Sequence, residues 1–323
     1  MTYGLLRWLT GIALHWFYSD IQVTGSGRIQ ARGPVILAAS HHNALVDALI
    51  AVWITPRRLT LTAKATLMEK PLLAWLLSLV GVVPLRRAAD ELKRQQRPGE
   101  NLDTSRNASA FRSLLDVLDR QGMILIFPEG KSHSEPALAP LKTGVARIAL
   151  EARDVRGIRG LQIVPLGLSF EDKGNPGTAV LVEVGEPIHV DDLGVVSVDT
   201  LTERIFERLA AVSLKKPAPS PDRQSVRKRS DSSLSAPLAA WGELTHRYII
   251  NFARDLAVAR SRNPDDPAML TIIYSLVLIL LSYVLQFALV ALLIGPLWAA
   301  LFVATLPIGA YRAAFRSHPR PAD

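Results

Sequence analysis

The chain has 323 residues, a formal net charge of +8, a sequence pI near 9.9 and no cysteine. Without thiols it has no disulfide, no thiolate metal site, no Cys/His zinc site and no cysteine nucleophile. The basic excess suits nucleic acid or an anionic membrane surface, and hydropathy selects the membrane. From Pro267 to Tyr311 there is no Asp, Glu, Lys or Arg, a run that belongs in lipid.

Residues 1–19 carry Leu5, Leu6, Trp8, Leu9, Ile12, Leu14, Trp16 and Phe17, interrupted by Arg7 and His15, with no small-residue cleavage site after them. This predicts an interfacial membrane helix rather than a signal peptide; a helix packed on the following domain is the other reading. Ile21–Thr24, Val35–Ala39 and Leu59–Ala63 read as strands, and Ala48–Trp53 as the opening of a buried helix. Between the second strand and that helix lies Ser40-His-His-Asn-Ala-Leu-Val-Asp47. His42 and Asp47 are separated by about 140° on an ideal helix, so they meet only if His42 lies in the turn and Asp47 in the first helical turn. There the carboxylate accepts the imidazole's second N–H, fixes its tautomer and favours its protonated form. His42 is then a candidate general base for a hydroxyl.

Leu67–Val80 is too short to span a bilayer and reads as a buried or membrane-apposed helix. Gly81-Val-Val-Pro-Leu-Arg-Arg87 reads as a short strand ending in Arg86 and Arg87, and residues 88–106 as a polar excursion. Ala108–Arg120 has helical spacing at Phe111, Leu114, Leu115 and Leu118, and Gly122 ends it before the strand Met123–Phe127. Strands at Gln162–Phe170 and Ala179–Val184 and a helix around Leu201–Val212 complete an α/β domain over residues 20–214. Its expected architecture is a mixed, largely parallel sheet flanked by helices.

Residues 215–236 form a basic Pro/Ser linker, in which Arg227-Lys-Arg229 contacts anionic headgroups or is a solvated spacer. An amphipathic helix over 237–266, a transmembrane hairpin over 267–311 and a basic tail over 312–323 follow. Arg254, Arg260 and Arg262 flank the hairpin's entry and Arg312, Arg316 and Arg320 its exit. Positive charge at both ends predicts an integral membrane protein with its domain on the cytoplasmic face, of the inner membrane if the source is bacterial.

Phe127-Pro-Glu-Gly-Lys-Ser-His133 follows a buried strand, where open α/β sheets bind ligands. Gly130 permits close backbone approach, and Lys131 and Ser132 add donors for an anion. Glu129 suits an acceptor hydroxyl or a neighbouring arginine. Lys142 and Thr143 open the next helix and are placed to meet an anion. Of Arg86 and Arg87, one is expected to clamp a phosphate with its planar fork.

Together, His42-x4-Asp47, Gly81-Val-Val-Pro-Leu-Arg-Arg87, Phe127-Pro-Glu-Gly130 and Val164-Pro165 resemble, in order and spacing, the four motifs of the glycerolipid acyltransferases. Leu141-Lys-Thr-Gly-Val-Ala146 is a further landmark, and the resemblance covers roughly residues 20–190. Pro84 departs from the family's bulky apolar residue in the second motif. The resemblance implies that family's fold and the following chemistry. His42, oriented by Asp47, takes the proton of an acceptor hydroxyl, whose oxygen attacks the thioester of acyl-CoA or acyl carrier protein.

Arg87, Glu129 and Gly130 would hold the acceptor's glycerol-phosphate end; aligned on Gly81, the family's arginine falls on Arg87, and Lys64 would assist. The expected acceptor is the lysophospholipid 1-acyl-sn-glycerol 3-phosphate, giving phosphatidic acid. Glycerol 3-phosphate, dihydroxyacetone phosphate and other lysophospholipids are the alternatives. The segment from Phe127 to Gly144 is similar to the branch that uses the first two. The co-substrate thioester is needed, membrane lipids are the surroundings, and no metal, other cofactor or nucleic acid is expected. Two other classes are a serine hydrolase with Ser132 as nucleophile, which lacks the strained elbow, and a non-catalytic lipid-binding module, which needs no base–carboxylate pair.

Overall fold

Two uninterrupted apolar runs, Val35–Ala39 and Met123–Ile126, sit at the centre of the sheet in the computed structural model, which describes residues 2–64, 82–85, 104–133, 135, 137–174, 178–213, 215, 217, 236–261 and 266–314. The strands are β1 (Asp20–Thr24), β2 (Val35–Ala39), β3 (Leu59–Lys64), β4 (Val83–Leu85), β5 (Met123–Ile126), β6 (Gln162–Phe170), β7 (Ala179–Val184) and β8 (Ile188–His189). Their order is β1-β7-β6-β2-β5-β3-β4, with β8 beside β6. Neighbours pair in parallel except β6 with β7 and β6 with β8. The sheet is mixed and largely parallel, as the alternation of strand and helix patterns implied.

Side chains alternate across the pleat, so each central strand feeds two apolar layers. Val35, Leu37, Ala39, Met123 and Leu125 join the core beneath α1 (Thr2–Phe17) and α2 (Ala44–Ile54). Ile36, Ala38, Ile124 and Ile126 join the other core, under α3 (Thr104–Asp119), α4 (Gly144–Asp154) and α5 (Val198–Ser213). Burial on both faces is why these strands read as continuous apolar runs rather than as alternating ones. Pro165 is tolerated inside β6 because its absent N–H falls between the residues that pair with β8 and those that pair with β7, while its carbonyl accepts Gly185 N–H at 2.9 Å.

The end of α3 differs in detail from the sequence reading. The left-handed residue is Gln121 (φ 59), not Gly122. Gly122 donates to the Val117 carbonyl at 2.8 Å and Gln121 to Leu118 at 2.9 Å, the paired bonds of a Schellman end. A Cβ at Gly122 would lie 2.6 Å from the Val117 carbonyl oxygen, so glycine is required for close approach rather than for its φ. The helix also begins at Thr104, inside the stretch read as a polar excursion; the rest of that excursion, the expected helix over 67–80 and nearly all of the linker lie outside the described residues.

The N-terminal helix packs on the domain, the second of its two readings. Leu14 and Phe17 enter the core beside α2, while Leu5 and Leu9 on α1 stay exposed. At the other end of the chain are α6 (Ala236–Arg260), α7 (Asp266–Leu293) and α8 (Pro296–Ala314). Within α7, Met269–Leu293 has mean hydropathy 2.7 and is long and apolar enough to cross a membrane, the one such helix among the described residues. Gly295, at φ 114, turns the chain from α7 into α8. Gly242 of α6 lies directly against Gly309 of α8, and Trp8 and Trp16 of α1 reach α8 by a ring stack on Tyr311 and a hydrogen bond to the Ala310 carbonyl at 3.3 Å. Between α1 and these helices is a cavity of about 710 Å³, lined largely by apolar side chains such as Leu9, Trp16, Ile250 and Ile279.

Candidate active site

The four parallel strands β2, β5, β3 and β4 end at one edge of the sheet, with Ala39, Ile126, Lys64 and Leu85 as their last residues. Open parallel sheets bind ligands outside this carboxyl edge. The loop after β2 is pinned there: Ser40 N–H donates to the Leu166 carbonyl at 3.0 Å, and Leu168 N–H donates to Ser40 Oγ at 2.9 Å. Asn43 then caps α2, and its N–H donates to Asp47 Oδ2 at 2.7 Å in the first helical turn. The Asn43 side chain is used elsewhere, donating to Tyr18 Oη at 2.9 Å and to the Lys173 carbonyl at 3.1 Å.

The expected hydrogen bond between His42 and Asp47 is replaced by one from His41. Asp47 Oδ2 lies 2.9 Å from His41 Nδ1, and the Asp47 side chain is fully buried. Successive side chains of an extended loop point to opposite sides, so only one of two adjacent histidines can face the helix start. Here that residue is His41. Its ring also stacks on Phe127 at 4.0 Å, and its N–H donates to Glu129 Oε1 at 2.7 Å.

His42 points the other way. Its ring meets His133 edge-on at 4.9 Å, and its carbonyl accepts Lys173 Nζ at 2.8 Å. Burial, the largest influence, pushes the His42 imidazole below its ordinary value of 6.5; Asp47 and Glu129 pull the other way, and His133 and Lys173 add smaller pushes downward. The expected pull of a carboxylate toward the protonated form is present, but burial outweighs it, and the net shift favours the neutral ring.

Glu129 is 2% exposed, and its carboxylate takes three donors from the protein. These are His41 N–H, Ala139 N–H at 2.8 Å and His133 Nε2. Among the described residues, no arginine bonds this carboxylate. Gly130 adopts φ 75 in a turn closed by its N–H on the Phe127 carbonyl at 3.0 Å, and Lys142 N–H donates to the Pro128 carbonyl at 2.7 Å. Lys131 and Lys142 are exposed and Ser132 is half-buried in the same loop region. Lys64 pairs in register with Leu85, the residue before Arg86; Arg86 and Arg87 lie outside the described residues.

Sequence reasoning placed the two loops correctly and missed His41, Asn43, Tyr18 and Lys173 as members of the cluster. His133 stood in the quoted motif without a role. Among the described residues, no group of three or more His, Cys, Asp or Glu is arranged to hold a metal ion.

Residues 20–169, which contain this edge and both loops, match the Acyltransferase family model. Over 175 residues the chain is 30% identical to glycerol-3-phosphate O-acyltransferase 2 of Saccharomyces cerevisiae, covering 51% of this chain and 22% of that protein. It is 25% identical over 215 residues to a 1-acyl-sn-glycerol-3-phosphate acyltransferase of Limnanthes alba, covering 63% of this chain and 64% of that one. The chain thus spans less than two thirds of the length of these relatives. The crystal structure of PlsC, the 1-acyl-sn-glycerophosphate (LPA) acyltransferase of Thermotoga maritima, superposes with a TM-score of 0.49 at 20% identity, covering 65% of this chain and 78% of that chain. The matched segment ends before β7, and α6–α8 lie beyond it.

Proposed function

We propose that the protein is a membrane-bound O-acyltransferase that moves a fatty acyl group from acyl-CoA or acyl carrier protein to 1-acyl-sn-glycerol 3-phosphate, giving phosphatidic acid. The observation that carries this reading is a histidine ring held by a buried aspartate at the carboxyl edge of the sheet, within the matched segment. That pairing equips a site to take a proton from a hydroxyl. The acceptor's phosphate is assigned to Arg87 with Gly130, assisted by Arg86, Lys64, Lys131, Ser132 and Lys142. No protein nucleophile enters the reaction, so no acyl-enzyme forms.

Placement in a membrane is argued from the apolar stretch of α7, and the cytoplasmic side is assigned from Arg254 and Arg260 ahead of the hairpin and Arg312 at the end of α8. A thioester donor is water-soluble while the product partitions into lipid, so the site belongs at the interface. The apolar cavity beside α1 suits the hydrocarbon of a lipid. Glycerol 3-phosphate is the second reading of the acceptor, favoured by the 30% identity to the yeast glycerol-3-phosphate O-acyltransferase.

The test is acyl transfer by membranes carrying the full chain, with acyl-CoA and a panel of both acceptors and dihydroxyacetone phosphate. Phosphatidic acid formed by wild type and abolished in the double variant His41→Ala/His42→Ala is expected. Product from glycerol 3-phosphate alone would move the assignment to the second reading. Equal product from wild type and double variant would refute the enzyme.

A further inference from the structure

We infer that the cavity between α1, α6 and α7 binds one anionic glycerophospholipid of the surrounding bilayer, at a site separate from that of acyl transfer. The inference goes beyond the proposed reaction. Of the described residues that line the cavity, all but Leu49 lie outside residues 20–169, on α1, just after it, or on α6–α8. None of His41, His42, Asp47, Glu129 and Gly130 lines it.

The walls are of two kinds. Ile272, Leu276, Ile279 and Leu280 of α7 and Leu9 and Trp16 of α1 are apolar. Glu243, Arg247, Asn251 and Arg254 of α6 are polar, and their spacing of four, four and three residues puts them on one helical face. Leu244, Tyr248 and Phe252 each sit one residue, about 100°, further round the helix. They are 64%, 75% and 59% exposed. α6 thus turns charge toward the cavity and an apolar stripe outward, the polarity expected where hydrocarbon lies outside and a polar guest within. His246 Nε2 lies 2.7 Å from Tyr283 Oη, so this charged face runs beside the middle of the apolar stretch Met269–Leu293 rather than beyond its end. Ionisable side chains at that level face cavities and mark what a protein binds.

Charge selects the occupant. Arg247 and Arg254 face the cavity against one acid, Glu243. Arg254 pairs with Asp255 at 3.0 Å, while among the described residues Arg247 forms no ion pair. A free guanidinium fork matches two phosphate oxygens, and Asn251, one turn on, adds an amide donor. A zwitterionic headgroup would bring its own cation against the same arginines. The volume of about 710 Å³ accommodates a headgroup and the first part of its chains. Leu276 and Leu280, both lining and exposed, lead the rest of the chains along α7.

The probe is phosphatidylglycerol, which is absent from the acceptor panel. The full chain, purified in neutral detergent, is titrated with it or with phosphatidylcholine of the same chains, and bound lipid is counted by native mass spectrometry. One phosphatidylglycerol per chain is expected, with phosphatidylcholine held at least about tenfold more weakly. Arg247→Gln/Arg254→Gln should weaken phosphatidylglycerol by about 10–100-fold, the loss of charge-assisted bonds, and leave the acceptor KM unchanged. Ile279→Trp fills the cavity without altering its charge and should also expel the lipid. Equal affinity for the two lipids, no retained lipid, or phosphatidylglycerol binding that survives both variants would overturn the inference. A raised acceptor KM in the arginine variant would overturn the separateness and make the cavity part of the acceptor's path. Lipid binding is read without turnover, so a chain that binds phosphatidylglycerol but transfers no acyl group would refute the function and support this site.

Discussion

Replacing Glu129 by Gln separates two roles for that residue with one substitution. As a ligand for the acceptor, Glu129 would be dispensable for folding, and its loss would raise KM. Its surroundings describe a clamp. The carboxylate is buried and ties the loop after β2, through His41 N–H at 2.7 Å, to the loop after β5, through His133 Nε2 and Ala139 N–H at 2.8 Å. Hydrogen bonds to a charged group contribute about 1.5–3 kcal/mol each. Gln keeps one acceptor oxygen but brings an NH₂ that must face a former donor, so at least one of the two backbone bonds is lost and the charge assistance of the other disappears. The expected cost is about 2–3 kcal/mol, a fall of roughly 4–12 °C in Tm for a domain of this size. The assay is thermal unfolding of the purified chain beside steady-state kinetics in the acceptor. The clamp predicts a lower Tm and a lower kcat with KM within a few-fold. A Tm within 1 °C of wild type (about 0.3–0.5 kcal/mol) together with a tenfold rise in acceptor KM would refute the reasoning.

Two further outcomes follow from the same physics. Because His42 is held below 6.5 in the folded state, the unfolded chain binds a proton that the native site refuses as pH falls through 6.5, so stability declines from there down to the folded value. The midpoint of unfolding measured from pH 8 to pH 5 should therefore fall less in His42→Gln than in wild type, and parallel curves would sink the assignment. A Cβ on Gly242 would overlap the Gly309 carbonyl, so Gly242→Ala should cost about 1–3 kcal/mol of packing between α6 and α8. Hydrogen exchange over residues 236–260 should rise while exchange in β2 and β5 is unchanged, and unaltered protection of α6 would show that the two helices do not rely on this contact.

The sheet was legible because its strands obey local rules. Val35–Ala39 and Met123–Ile126 are buried on both faces and so announce themselves as apolar runs, and Gln162–Phe170 and Ala179–Val184 fall at the expected residues. The antiparallel turn of β7 against β6 was readable in principle, since the segment between Phe170 and Ala179 is too short for a crossover helix. The site was legible only to the level of loops. Counting residues from Asp47 locates the histidines but not the side of the loop on which each ring falls, and that direction distinguishes His41 from His42. Lys173 and Tyr18 carry no local signal, because they join the cluster through bonds spanning 131 and 25 residues of chain.

Tyr18 also explains why α1 packs on the domain while keeping apolar residues outside. At its middle and end, Trp8 stacks on Tyr311 and Trp16 bonds to Ala310, both on α8. Just beyond its end, fully buried Tyr18 accepts the side-chain N–H of Asn43, the residue whose backbone N–H is held by Asp47. Burial, reinforced by the charge of Asp47, pushes the Tyr18 phenol well above its ordinary value, so it stays a neutral partner of that amide across the physiological range. One helix thus joins the apolar C-terminal helices to the loop that positions His41. With those helices in a bilayer, packed side chains of α1 tie the carboxyl edge of the sheet to it.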